Sequence, residues 1–259
     1  MLKLITNPIG VASLARREIT RFLAVGVQTI FPPWISSMLF MYIFGITLGS
    51  RFNFPIEGIS YLQFIIPGLM TMHLISSSYE NTSASLFIGR WHNNIQEVLL
   101  SPLSYFEMVL GLLAGGVARG TLICLGVLIF AQFFVPQGIA HPFILFYFIL
   151  LISVIFSCAG MLAALWAEDF GMLNLWNVYV IVPMVLLGGV FHPISLLPEP
   201  LQILSHFNPV HYLMSGMRYA VINYSDQNIY ICAGVAFLMA CSFGFITVWL
   251  FKAGYKLRT

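Results

Sequence analysis

The chain has 259 residues, of which 59% are hydrophobic and only 8% charged, with a mean hydropathy of +0.92. Soluble domains carry about 25% charged residues, so this composition excludes an ordinary soluble domain and predicts an all-α protein that crosses a membrane several times. The formal net charge of +2 is too small to indicate a nucleic-acid partner.

An amphipathic helix is predicted over residues 7–24, ahead of the first long apolar run. One arc of this helix is apolar, and the opposite face carries Arg16, Arg17 and Arg21. A helix with a basic polar face suits the surface of a membrane whose inner leaflet is anionic. We therefore expect residues 7–24 to lie along the membrane, in contact with its lipids.

Six apolar runs then have about the 20 residues that a hydrocarbon layer of about 30 Å requires. They cover residues 25–48, 61–88, 105–134, 142–166, 173–191 and 229–251. Lysine and arginine are enriched in cytoplasmic loops of membrane proteins. With both termini inside, the cytoplasmic cations are Lys3, Arg16, Arg17, Arg21, Arg90, Lys252, Lys256 and Arg258, and the outer ones are Arg51 and Arg218. Both termini are therefore expected in the cytoplasm.

Between the second and third runs, residues 90–104 have the pattern of a short amphipathic helix. Trp91, Ile95, Val98 and Leu99 recur at the spacing of one helical face. On the cytoplasmic side, such a helix is a surface on which a soluble partner can act. The periodicity alone fits equally well a linker that lies on the lipid headgroups.

Arg119 lies inside the third apolar run, where a buried charge requires a partner or water. Glu80 in the preceding run and Glu107 near the start of its own run are the candidate partners. An ion pair that stabilises the bundle and a direct contact with substrate both remain open. Four glycines around Arg119 repeat the G-x-x-x-G spacing, which predicts close helix packing.

Three further polar residues of the apolar runs are candidates for a transport pathway. His73 lies in the second run, and Asn177 and Tyr179 give the fifth run a mixed face. Hydrogen bonding within the bundle is the alternative for His73, and packing or lipid anchoring for the other two.

The segment from residue 192 to 228 is apolar but interrupted by prolines, among them Pro198 and Pro209. Proline prevents one continuous span, so two short helices are predicted that dip into the outer leaflet and turn at Asn208. A plain interfacial loop is the alternative. Its histidines, His192, His206 and His211, lack the spacing of a metal site.

Motifs for catalysis are missing from the sequence. It contains no G-x-x-x-x-G-K-[ST] loop for nucleotide phosphates, no H-E-x-x-H and no nucleophile elbow. No cofactor or metal is expected in this chain.

The order of these elements resembles the membrane subunit, or permease, of a type-2 ABC exporter, in the YadH-type branch. The strings that carry the resemblance are IIPGLMTM at 65–72, NNIQEVLLSPLS at 93–104, GGVARG at 115–120, LGGVFHPISLLP at 187–198 and HFNPVHYLMSGMRY at 206–219. The resemblance extends over nearly the whole chain. It therefore implies a single transmembrane domain over residues 1–259.

The resemblance implies a dimer of two such chains in a bacterial inner membrane, with the pathway at their interface and two separate ATPase subunits bound to MgATP below. Residues 90–104 become the coupling helix, and residues 192–223 become extracytoplasmic re-entrant helices. The implied coupling residues are Arg90, Trp91, Ile95, Glu97, Val98 and Leu99, joined by Arg16 and Arg17. The implied re-entrant residues are His192, Pro198, Asn208, Pro209 and Arg218.

The resemblance implies a substrate that is lipid-like, a glycolipid or saccharide, or an amphipathic drug. An apolar pathway with few charges favours a lipid-like or amphipathic substrate. Two other functions compete with export. An integral membrane enzyme acting on a lipid needs a polar site, and a passive channel needs pore-lining charges or pore-loop repeats.

Overall fold

The computed structural model of the chain describes residues 6–48, 58–136 and 138–256, and the regular structure in these ranges is helical. The helices are α1 Pro8–Ala24, α2 Gly26–Thr29, α3 Phe31–Tyr42, α4 Tyr61–Trp91, α5 Ile95–Leu100, α6 Tyr105–Phe134, α7 Pro142–Trp166, α8 Phe170–Trp176, α9 Val182–Leu187, α10 Glu199–Phe207, α11 Pro209–Ile222 and α12 Ile229–Ala253. The π-helical segments Ile43–Leu48 and Asn177–Ile181 follow α3 and α8. The predicted all-α membrane protein is confirmed. Lys3, Arg51 and Arg258, which entered the orientation argument, lie outside the described residues.

Five helical stretches of the described chain are long and apolar enough to cross a membrane. They are Gly26–Gly45, Tyr105–Phe134, Pro142–Trp166, Phe170–Leu187 and Ile229–Ala253. The predicted second span is one helix, α4, of 31 residues, but its second half is rich in Ser, Asn and Thr. These polar side chains are largely buried because α4 lies between α6, α7 and α11. That α4 also crosses the membrane stays a prediction.

The glycines of α6 let two neighbouring helices approach on different sides. A Cβ at Gly111 would lie 2.5 Å from Leu14 of α1, and one at Gly116 would lie 2.1 Å from the Ser157 hydroxyl of α7. Neither position can hold a larger side chain without a shift of its neighbour. The predicted close packing at the G-x-x-x-G spacing is confirmed.

Helix α1 has the predicted bounds to within one residue, but its buried side is not the predicted apolar arc. Leu14, Glu18 and Phe22 are buried. The predicted arc consists of Val11, Ala12, Ala15, Ile19, Phe22 and Leu23. Of these, Phe22 is buried while Ala12 and Leu23 are exposed. Helix α1 packs along α6, so the face of α1 that contacts α6 is the buried one, and this face includes Glu18. Arg16 and Arg17 lie on the exposed side.

The predicted amphipathic helix over residues 90–104 is wrong in its bounds. Arg90 and Trp91 form the last turn of α4, a turn follows, and α5 covers only Ile95–Leu100. Asn93 has a φ of 59°, a left-handed conformation that ends a helix. After α5 the chain bends at residues 101–102, where the Leu103 amide donates to the Ser101 carbonyl, and the Ser104 hydroxyl then caps the start of α6.

The proline-rich segment forms two short helices, α10 and α11, that meet at Asn208, as predicted. The Asn208 side chain accepts a hydrogen bond from the Val210 amide and caps α11, which begins at Pro209. Pro198 directly precedes α10. Most of α11 is buried beside α4, α7 and α12, whereas α10 leaves Leu204 and Phe207 exposed. The α11 end of the bundle is thus closed by packed helix rather than by an open loop.

Candidate functional site

Helix α5 presents one buried face and one open face at the end of the bundle where α4 and α7 finish. Ile95 and Val98 are buried in the same apolar cluster as Leu14 of α1. Glu97 and Leu100 are exposed, Leu100 to 86%, and Leu99 is half-buried. The inner face fixes α5 to the core, which leaves the outer face free to contact another molecule.

A cleft of about 290 Å³, here called the α1 cleft, lies between α1 and α5. Arg17 lines it from α1, and Glu97 and Val98 line it from α5. The structure therefore brings together coupling residues from two predicted regions that are 80 residues apart. Arg16 lies beside Arg17 on the outer surface of α1.

A second cleft of about 310 Å³, the α7 cleft, lies on the other side of α5. Arg90, Trp91 and Ile95 line it, together with Glu168 and Lys256. Arg90 Nη1 donates to the carbonyls of Ala164, Leu165 and Ala167 at the end of α7. Arg90 therefore caps the end of α7, and Trp91, which is 61% exposed, is one of the open side chains of this cleft, together with Glu168.

An ion pair lies within the bundle, well away from α5. Arg119 Nη2 is 3.4 Å from Glu80 Oε2 and 3.4 Å from the Thr29 carbonyl, and Asn177 Nδ2 donates to Glu80 Oε1 at 3.4 Å. Glu80 is the partner of Arg119, and Glu107 is not. Glu107 instead binds backbone amides at the start of α6, as described below.

This cluster of Glu80, Arg119 and Asn177 is open on one side. The Glu80 side chain is 48% exposed, although the Arg119 side chain is 9% exposed. Arg119 Nε and Asn177 Oδ1 are buried and have no hydrogen-bond partner among the described residues. Buried polar atoms are nearly always paired, so the cluster has capacity for a further polar group.

The other two pathway candidates lie outside this cluster. His73 is two turns before Glu80 in α4, and its Nε2 is 3.5 Å from the Ser36 hydroxyl of α3. Tyr179 is 73% exposed on the surface of the π-helical segment after α8. The structure thus brings together three of the five candidates.

Sequence reasoning missed a buried carboxylate on α1. Glu18 accepts hydrogen bonds from Arg17, Arg21 and, at 2.6 Å, from the Ser85 hydroxyl of α4. Arg21 also donates to the Asn81 carbonyl. The sequence did contain a signal for this contact: Glu18 is the only acidic residue of the predicted helix and lies three residues before Arg21, a spacing at which side chains of a helix can pair.

At the α11 end, Arg218 is buried and paired, and its place on the outer side of the membrane stays a prediction. Its Nη1 is 2.9 Å from Asp226 Oδ2, its Nη2 donates to the Gly189 carbonyl at 2.6 Å, and its guanidinium lies 3.8 Å from the centre of the Phe64 ring. Burial, with the Asp226 carboxylate beside it, raises the pKa of Tyr224 to about 12. Arg218 therefore ties α11 to α4 and to the turn after α9.

The three histidines of this region do not form a site together. The rings of His206 and His211 are 5.9 Å apart, edge to face, and burial lowers the pKa of His211. His192 lies in the turn before α10. Within the described ranges, no three His, Cys, Asp or Glu side chains are placed to hold a metal ion.

Comparison with known proteins identifies a matching family and similar proteins in bacteria. The family described as "ABC-2 type transporter" matches residues 10–222. The chain is 36% identical over 251 residues to "Inner membrane transport permease YadH" of Escherichia coli (strain K12), covering 97% of this chain and 98% of that protein. It is 24% identical over 221 residues to "Nodulation protein J" of Sinorhizobium fredii, covering 84% of this chain and 83% of that protein.

Proposed function

The chain belongs to the ABC-2 type transporter family as a membrane transport subunit, and from this premise we propose that it is the permease of an ATP-driven exporter. Permeases of this family work with ABC ATPase partners. Two ATPase subunits bind and hydrolyse MgATP, and this chain supplies the pathway without chemistry of its own. Relatives named as transport permeases favour this reading over an enzyme that acts on a lipid.

The open face of α5 is the observation that carries the proposal. A six-residue helix with Ile95 and Val98 buried and Glu97 and Leu100 exposed is held rigidly but covered by no described residue on its outer side. The α1 cleft and the α7 cleft flank it. Because α5 protrudes between two clefts, an ATPase surface can contact it on both sides. A movement of the ATPase would then displace α5.

We assign the docking contacts to the predicted coupling residues that remain accessible. Glu97, Trp91, Arg16 and Arg17 are exposed. Ile95, Val98 and Leu99 support α5 from beneath, and Arg90 fixes the end of α7. An ATPase bound at α5 places α5 on the cytoplasmic side of the inner membrane. Both termini then lie in the cytoplasm, and α10 and α11 lie at the outer face of the membrane.

A second copy of this chain is proposed to complete the pathway. Three spans, Gly26–Gly45, Phe170–Leu187 and Ile229–Ala253, each have only 17% of their 18-residue apolar window buried within one copy, compared with 72% for Pro142–Trp166. The open side of the Glu80 cluster faces the first two of these spans, because Thr29 and Asn177 belong to them. A pathway between two copies would therefore contain a small polar site in apolar walls, which fits a lipid-like or amphipathic substrate.

Co-purification with candidate ATPases of the type-2 exporter class tests the proposal. The permease and an ATPase are co-expressed, purified in mild detergent and weighed by native mass spectrometry. We expect two copies of each chain. Glu97→Arg and Leu100→Asp should abolish the complex, because both side chains are exposed on α5 and contribute little to the fold.

Glu199→Arg is the matched control, because it reverses an exposed charge at the opposite end of the bundle. It should leave the complex intact. Unchanged thermal stability of the two α5 variants shows that the fold survives. If no ATPase binds the wild-type chain, or if the α5 variants still bind it, the proposed function is wrong.

A further inference from the structure

The Glu107 carboxylate is buried at the start of α6 and binds the amides of two helix starts. Its Oε1 accepts hydrogen bonds from the Thr6 and Asn7 amides at 2.6 and 2.7 Å, and its Oε2 accepts one from the Ser104 amide at 2.7 Å. Asn7 and Ser104 are the residues directly before α1 and α6. One side chain thus joins two helices at their first residues.

The charge of Glu107 suits this position. The first amides of a helix have no partner within the helix, and the helix dipole favours a negative charge there. Hydrogen bonds to a carboxylate are also shorter and stronger than those between neutral groups. Among the described side chains, no cation lies within ion-pair distance of Glu107. The Glu107 carboxylate is therefore bound by backbone amides, and it holds the starts of α1 and α6 together.

Two packing contacts continue the same attachment. A Cβ at Gly10 would lie 2.7 Å from the Leu103 side chain, so α1 lies directly against residues 101–104, here called the α5–α6 corner. Leu14 then packs over Gly111 and belongs to the same apolar cluster as Ile95 and Val98 of α5. Helix α1 is therefore fastened to the corner and shares a core with α5.

We propose that Glu107 is a positioning residue that makes α1 and the α5–α6 corner move as one unit. A displacement of α5 is then delivered to α1 as well as to α6. This inference rests on the proposed function, because the ATPase supplies the displacement. It adds that α1 responds to nucleotide through an internal attachment, with Glu107 as the group that transmits the movement.

Hydrogen–deuterium exchange on the full-length permease bound to its ATPase tests the inference without knowledge of the cargo. Peptides that begin several residues before Thr6 and cover residues 6–14 report on the Thr6 and Asn7 amides and on α1, and peptides over residues 93–104 report on α5 and the corner. In the wild type, MgATP with vanadate should change exchange in both. In Glu107→Gln, the amides of Thr6 and Asn7 should exchange about tenfold faster, and only the 93–104 peptides should still respond to nucleotide.

Gly10→Val is a second variant at the same contact, since it separates α1 from Leu103 while Glu107 stays in place. It should give the same loss of response in α1. Glu199→Gln, at the far end of the bundle, should behave as the wild type.

The outcomes separate the two proposals. A nucleotide response in the 6–14 peptides that persists in both variants overturns the role of Glu107 while the ATPase complex stands. A wild-type permease that binds no ATPase overturns the proposed function and the inference with it.

Discussion

Replacing Asp226 by asparagine tests the buried ion pair at the α11 end of the bundle. The Arg218 side chain is fully buried, and Asp226 Oδ2 lies 2.9 Å from its Nη1. Asparagine keeps the size of the side chain but removes its charge. The guanidinium then stays buried with the Gly189 carbonyl and the Phe64 ring as neighbours but without a counter-charge.

Removing one partner of a buried ion pair costs about 3–5 kcal/mol, because the other charge is left uncompensated. The Asp226 side chain retains 16% exposure, so the lower end, about 3 kcal/mol, applies here. In a chain of this size, 1 kcal/mol corresponds to about 2–4 °C in Tm. We therefore expect Asp226→Asn to lower Tm by about 6–12 °C.

Thermal unfolding of the purified protein in detergent, followed by tryptophan fluorescence, measures this loss. The double variant Arg218→Met with Asp226→Asn is the matched control. It removes both charges and should lose less stability than Asp226→Asn alone, since no uncompensated charge remains. A Tm of Asp226→Asn within about 2 °C of the wild type would refute the reasoning.

Three further changes are predicted from contacts of single residues. Gly116→Val should lower Tm, because its Cβ would lie 2.1 Å from the Ser157 hydroxyl; Gly234→Val, whose Cβ would meet no atom within 4 Å, should not, and equal Tm values would contradict this. Glu18→Ala should speed limited proteolysis of α1, because it removes the acceptor of Arg17, Arg21 and Ser85; an unchanged digestion rate would count against that anchor. Glu80→Gln should lower Tm less than Asp226→Asn does, because Glu80 is 48% exposed and its pair is longer, 3.4 Å against 2.9 Å; the reverse order would show that exposure does not weaken this pair.

The ion pair of Arg119 could be predicted from the sequence because a charge inside an apolar run requires a partner. Glu107 could also have been excluded, because it lies twelve residues before Arg119 in the same helix, about 18 Å away along the helix axis. What the sequence does not predict is that the amides of Thr6 and Asn7 bind the Glu107 carboxylate. Nothing in the order of residues indicates that these amides lie beside it.

The limits of α5 were mispredicted for a similar reason. Trp91, Ile95 and Val98 have helical spacing, but Asn93 takes a left-handed conformation and separates Trp91 from the others. Asparagine occurs both within helices and, in the left-handed conformation, at their ends, so its conformation depends on the surrounding structure. The order of the spans predicts Arg218 on the outer side of the membrane, but it does not identify Asp226, in the loop after the same helix, as the ion-pair partner.

Helix α6 connects the open face of α5 with the Glu80 cluster. Residues 107, 111 and 115, spaced four apart, contact α1 on one side of α6. Gly120 admits the Ser78 side chain of α4 on another side, and Arg119 binds Glu80 of α4. If α6 shifts as a rigid body, α1 and α4 must therefore either move with it or lose these contacts. Because α5 is joined to α6 by only four residues, a displacement of α5 in the proposed exporter reaches the polar cluster through one helix, which Glu107 holds at its first turn and Arg119 holds at its middle.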